Sequence, residues 1–237
     1  MKNFLITFSL IFILAGCSSL ELEAVSSSEE ETKRILALGL SHEENLIEAS
    51  KLKSSHMVSV VTLQLTNAWE EKIQAEIDAV ASEEFARMVK ISSDGLKFIG
   101  PEISEAKTTG VLETDVDLQN FHLEGIRNPN NDLIEHKLAL SIAHNSRNAR
   151  KYTSANLCDK WNRCNNNSQE IKVISSVATN CSKSSCDFKE VMELNLTDDF
   201  LKNLANEGFK IRFNTKMKGN KIAVSKAYLM GYLQVAK

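Results

Sequence analysis

The 237-residue chain is 43% hydrophobic and 25% charged, with 9 Gly, 2 Pro and 5 Cys, the proportions of an ordinary folded protein. They exclude a disordered chain, a collagen-like repeat and a cysteine-stapled miniature, and the length suits one large domain or two small ones. Against 31 acidic residues stand 28 basic ones, a formal net charge of −3, so no strong electrostatic draw toward nucleic acid or anionic lipid follows.

The chain opens with Lys2 and an apolar run from Phe4 to Ala15. As helix that run would reach about 18 Å, short of the roughly 30 Å of hydrocarbon in a bilayer, so it reads as an export signal rather than a membrane span. Leu14-Ala15-Gly16-Cys17 follows at its end and resembles the lipobox of bacterial lipoproteins. The resemblance implies cleavage before Cys17, a diacylglycerol on its sulfur and a further acyl chain on its new amino group. Two or more chains anchor stably where one is marginal. Ser18, standing where the lipoprotein sorting rule would place Asp for retention, implies transfer to the outer membrane, with the body expected to face the periplasm.

With Cys17 set apart, Cys158, Cys164, Cys181 and Cys186 remain. An even number in an oxidising compartment predicts two disulfides, with three connectivities open. Local pairing would close loops of about 7 and 6 residues, each worth roughly 2 kcal/mol, and crossed pairing only about 1 kcal/mol more per bond, so energetics do not choose. A zinc site would also use four thiolates, but the spacings are C-x5-C and C-x4-C with no His between them, unlike the usual C-x2-C pairs.

Along the mature chain, Ser28-Glu29-Glu30-Glu31 and Ser41-His42-Glu43-Glu44 are capping-box patterns. The second leads a helix carrying Leu46, Ile47, Ala49 and Leu52, while Lys33–Leu40 is too short for its period to decide. His56 to Thr66 alternates with both faces mostly apolar and reads as a buried strand. Asn67-Ala68-Trp69-Glu70 then caps a helix whose stripe of Trp69, Ile73, Ile77, Val80, Phe85 and Met88 should face the core. Strands follow near 96–100 and 108–118, a loop at Arg127–Asp132, and a long strand from Leu133 to His144. The stretch Asn145–Ser168 is polar and asparagine-rich. Beyond it, 170–179 and 187–196 read as strands, Thr197-Asp198-Asp199 caps a short helix stopped by Gly208, and Phe209–Phe213 with Ile222–Val224 form a hairpin. Tyr228 to Val235 reads as a final apolar strand or turn.

These elements predict an α+β fold, a mixed or antiparallel sheet packed against two or three helices, with a disulfide-bearing, β-rich C-terminal part. The expected divisions are a signal peptide at 1–16, a lipidated tether at 17–28, an α+β domain at 29–145, a polar excursion at 146–168, and the C-terminal part at 169–237, in the same or a second domain. The run Leu36-Ala37-Leu38-Gly39-Leu40-Ser41-His42-Glu43-Glu44, with Ala49 and Val58-Ser59-Val60-Val61 after it, resembles the opening of the twenty-kilodalton antigenic lipoprotein family. That family's domain in turn resembles part of a flagellar ring protein. The resemblance covers roughly residues 34–145 and departs from the family at Leu46, Leu52 and Lys53. It implies strand, capped helix, valine–serine strand, long helix and further strands, with an adhesive or envelope-assembly role and no catalytic residues.

Chemistry-bearing motifs are few. No nucleophile elbow, phosphate loop, zinc-protease motif or calcium loop occurs. His136 and His144 lie about 26 Å apart along one strand and cannot share a metal; His42 sits in a first helical turn, and His56 and His122 begin or end strands. Asp115 and Asp117 share a strand face and could pair as acids, though a solvent-facing acidic edge is more ordinary. Trp161, between Cys158 and Cys164, offers a contact tip if it does not pack over its own disulfide. No catalytic residue, metal site or cofactor is assigned. The sequence points to a lipid-anchored envelope protein of non-catalytic binding, adhesion or assembly role, whose partners are the membrane and an envelope protein and not nucleic acid. The alternative is an anchored periplasmic hydrolase whose acid and histidine residues meet only in the fold.

Overall fold

The computed structural model describes residues 27–109, 115–159, 162–216 and 219–237, and the chain divides into two compact units, Met1–Ile77 and Asp78–Lys237. The described part of the first is helical: α1 over 27–36, α2 His42–Ser50, and the larger part of α3, which spans Ser55–Met88. Ser41 caps α2 with the reciprocal bonds of a capping box to Glu44. Ile35, Ala49, Val61 and Leu65 are the unit's buried apolar core, with Leu46, Leu52 and Met57 against it. His42 stacks on Trp69 with ring centroids 4.6 Å apart.

Residues 56–66 are therefore helix where alternation predicts strand, and Asn67 caps nothing because α3 runs through it. Neither Gly nor Pro interrupts Ser55–Met88. Met57, Val61 and Leu65 fall one turn apart, so a helix buries them together, and the β-branched valines give way to that packing. Helix also replaces the valine–serine strand that the family resemblance implies. The expected core-facing stripe is mostly outward: Trp69, Ile77, Val80 and Met88 are exposed, while Phe85 packs edge-on to Tyr228 at 5.3 Å.

The second unit holds eleven described strands: β1 Lys90–Ile91, β2 Lys97–Ile99, β3 Ile103–Thr109, β4 Asp115–Arg127, β5 Ile134–Ser146, β6 Ser154–Cys158, β7 Cys164–Glu170, β8 Lys172–Thr179, β9 Cys186–Leu196, β10 Phe209–Asn214 and β11 Asn220–Val224. Two short helices, α4 Asp198–Asn203 and α5 Lys226–Val235, complete it. One sheet runs β1-β2-β4-β5-β9-β8 with β3 also on β4; the other runs β11-β10-β6-β7. All pairings are antiparallel, and the fold is α+β. Phe121, Leu138, Leu140 and Met192 of the first sheet share one core with Phe209, Ile211 and Phe213 of the second and Tyr228 and Tyr232 of α5.

Two segments of this unit differ from expectation. The polar stretch 146–168 carries β6 and most of β7, its asparagines facing outward on a strand held by backbone pairing and so leaving no hydrophobic period. β5 pairs with β9 from His136–Leu196 to Ser146–Cys186, so residues on both sides of that stretch build one sheet. Tyr228–Val235 is helix: Ser225 accepts from the Tyr228 amide as N-cap, and Ala227, Tyr228, Leu229, Gly231 and Tyr232 are buried.

The β2–β3 edge is broken at Gly100-Pro101-Glu102, where proline has no amide to give. Opposite the break, the Leu123 amide donates to the Tyr228 hydroxyl at 2.9 Å, which itself donates to the Pro101 carbonyl at 3.0 Å. A side chain on Gly100 would come within 2.5 Å of that hydroxyl, so α5 docks through a gap that only glycine leaves open.

Candidate functional site

The sequence candidates fall into separate places. Asp117 is 1% exposed and takes a two-pronged ion pair from Arg150, at 2.5 and 2.7 Å. The Asn220 amide also donates to it at 3.0 Å. Asn220 accepts in turn from the Tyr152 hydroxyl at 2.5 Å and from Arg150 at 2.9 Å. Burial alone would raise the Asp117 pKa; the bonds from Arg150 and Asn220 outweigh it and hold the carboxyl below its usual range. Burial pushes the Tyr152 phenol up to about 12. Asp117 thus sits sealed as a salt bridge rather than poised as an acid, and the side chain of Asp115 lies outside the described residues.

A second buried centre adjoins it. Glu190 accepts from His144 at 2.9 Å and from the backbone amides of Arg150 and Lys151 at 2.9 and 3.1 Å. Its burial would raise the pKa, and these donors outweigh it and lower it. Together Glu190 and Asp117 fasten the 147–152 connection, which carries the chain from β5 in one sheet to β6 in the other.

Beside Asp117, Gln119 is wholly buried, and neither of its amide atoms has a hydrogen-bond partner among the described residues. A buried amide without partners costs about 1–3 kcal/mol. Gln119→Leu, similar in volume, should therefore raise stability by about 1 kcal/mol or more, read as a higher urea midpoint at unchanged slope. A lower midpoint would show that Gln119 contributes to the fold through its amide.

His136 lies at the opposite end of β5. Its Nδ1 accepts from the Tyr232 hydroxyl at 2.9 Å, and its Nε2 faces Asp198 at 3.4 Å. This tautomer follows from the network, since a phenol raised by burial donates and a carboxylate only accepts. Gly125 makes the room, for a side chain there would meet the Tyr232 hydroxyl at 2.5 Å. A cleft of about 440 Å³ beside it is lined by Leu133, Ile134 and Leu196 as well as by Asn128, His136 and Asp198. The lining is therefore mixed, apolar side chains beside amides and carboxylates.

Burial first, partly opposed by Asp198, lowers the His136 pKa from 6.5. Above about pH 6.5 the folded and unfolded imidazoles are both neutral. Below it the unfolded one gains a proton that the folded one refuses, so stability declines with falling pH. The urea midpoint should drop between pH 7 and 5, and His136→Gln should make that drop shallower; an identical drop in the variant would refute the assignment.

His42 stacks on Trp69, His56 is exposed on α3, and His122 pairs with Glu124 at 2.9 Å, so the five histidines remain apart. The cysteines pair locally, Cys158 with Cys164 and Cys181 with Cys186, each bond closing one strand connection. Cys17 and Trp161 lie outside the described residues. Among the described residues no group of His, Cys, Asp or Glu has a metal-holding arrangement, and no helix is long and apolar enough to cross a membrane.

One further surface carries recognition chemistry. β8 ends its sheet, is exposed along nearly its whole length, and presents Val173, Ile174 and Val177 to solvent. An edge of this kind is a template for another strand. Sequence reading missed it because the strand's pattern does not reveal its place at the edge. It also missed Arg150, Tyr152, Glu190, Asn220 and Tyr232, whose partners lie 33 to 103 residues away.

Fold and sites together define an α+β protein with two buried, hydrogen-bonded carboxylates at Asp117 and Glu190, a cleft of mixed lining at His136 and an open sheet edge. Compared with known proteins, the chain matches no family model, no curated protein and no solved structure.

Proposed function

We propose that this chain is a lipid-anchored protein of the bacterial outer membrane, facing the periplasm, whose folded units bind or assemble envelope components without catalysis. The observation that carries the reading is Leu14-Ala15-Gly16-Cys17 at the end of an apolar run of export-signal length. Two disulfides support it, since such bonds persist in oxidising compartments. The sealed state of Asp117 and Glu190 leaves them holding a chain connection rather than meeting a substrate, and the open edge of β8 suits strand pairing with a partner.

Mass measurement of the N-terminal peptide tests the anchor. It should begin at Cys17 and carry the diacylglycerol and acyl groups, and Cys17→Ala should release the protein from the membrane fraction. An unmodified Cys17 in the envelope protein would overturn the reading. Crosslinking in intact envelope tests the binding role: a partner captured by the natural chain should be lost from Val173→Lys/Val177→Lys. No partner captured by the natural chain counts against binding, and an unchanged profile in the variant removes β8 as the binding edge.

A further inference from the structure

The helical unit exposes several large apolar side chains. Against four buried apolar residues among those described, Leu36, Leu38 and Leu40 are 43%, 50% and 38% exposed within one turn of chain, and Trp69 is 42% exposed. Leu36, Leu40 and Trp69 line one cleft of about 540 Å³. Contiguous exposed apolar groups of this kind mark a partner surface.

Two further observations narrow the partner. The described structure begins at residue 27, ten positions after Cys17, and ten residues of any conformation reach at most about 36 Å. On the anchor reading, on which this inference rests, the unit stays within about 36 Å of the bilayer surface. The cleft is also two-natured. Lys72 and Glu43 stand at it with opposite charges, and Asn45, buried against it, has an Oδ1 with no hydrogen-bond partner among the described residues. Leucine side chains, an indole and charges of both signs match the water–lipid interface, where tryptophan sits at headgroup depth. The mixed signs favour zwitterionic headgroups, with Lys72 to meet the phosphate and Glu43 the ammonium.

We propose that the Leu36–Leu40 turn and Trp69 form a docking patch that rests in the interfacial layer of the bilayer carrying the Cys17 anchor, against zwitterionic phospholipid. The patch turns one attachment point into two and holds the helical unit against the membrane.

The test uses the full chain with Trp161→Phe, leaving Trp69 as its single tryptophan. It is expressed in a bacterial host and reconstituted into vesicles of phosphatidylethanolamine and brominated phosphatidylcholine. Trp69 emission should fall to less than half of that in unbrominated vesicles. Leu38→Glu/Leu40→Glu should restore it with an unchanged circular dichroism spectrum. Equal emission in both vesicle types overturns the proposal, as does undiminished quenching in the double variant. A Trp69 emission shift induced by soluble chitooligosaccharide without vesicles would assign the cleft to glycan and overturn it as well. The mass of the N-terminal peptide separates the two readings. If Cys17 is unmodified, the anchor fails; quenching that persists in that protein still upholds the patch, and quenching that is absent removes it too.

Discussion

Asp117→Ala is expected to cost about 3–5 kcal/mol of stability, because it leaves the Arg150 guanidinium buried with its charge unanswered. Arg150 makes both of its strong bonds to that carboxylate and is itself held among Tyr152 and Asn220. Removing Arg150 instead should cost a similar amount, since Asp117 is the more deeply buried of the two. The pair as a whole has a much smaller net worth, for its Coulomb gain is set against the desolvation of both ions. Asp117→Leu combined with Arg150→Met should accordingly recover most of the loss. Urea denaturation of Asp117→Leu, Arg150→Met and the two combined, against the natural chain, decides this as a double-mutant cycle. A loss below about 1 kcal/mol for Asp117→Ala would mean that water reaches the site and that the connection is held otherwise.

Tyr228→Ala should be of comparable size, about 3–5 kcal/mol for a fully buried aromatic. Tyr228→Phe separates the ring from its hydroxyl. The ring contacts with Phe85 and Phe121 would remain, whereas the Leu123 amide and Pro101 carbonyl would each lose a partner opposite the strand break. That change should cost about 1–3 kcal/mol. Hydrogen exchange gives an independent reading: the Leu123 amide should lose protection in the Phe variant while amides on the β5–β9 ladder keep theirs. Equal protection at Leu123 in both proteins would show that the ladder, and not the phenol, closes the break.

How much of this was legible beforehand depends on how far each interaction reaches along the chain. The Ser41 cap, the loop at Asn128–Asp132, β5 with its buried Leu138, Leu140 and Ile142, and the Thr197 cap of α4 are local features, and they stand as read. Gly208 takes its left-handed conformation, φ +72°, four residues after the Leu204 cap of α4. Val58–Val61 misled because branched side chains favour strands locally, while the winning term is burial beneath Ile35 and Ala49. α5 was obscured by its brevity: ten residues with five of them buried carry no polar face to mark a period. Asp117 was singled out for its charge, yet its meaning depends on Arg150 and Asn220. Asn220 itself, the first residue of β11, is a buried member of the network.

The short reach of the two disulfides bears on how such a chain could arrive at its fold. Their cysteines are separated by only 6 and 5 residues, and loops of about ten residues close in roughly 10–100 ns. Each thiol therefore meets its proper mate far more often than either cysteine of the other pair. A chain delivered unfolded could oxidise correctly before β5 had found β9, whose opposed residues lie from 40 to 60 positions apart. Of the three ways to join four cysteines, the two wrong ones are disfavoured by encounter frequency alone, with no need for the finished sheet to select among them.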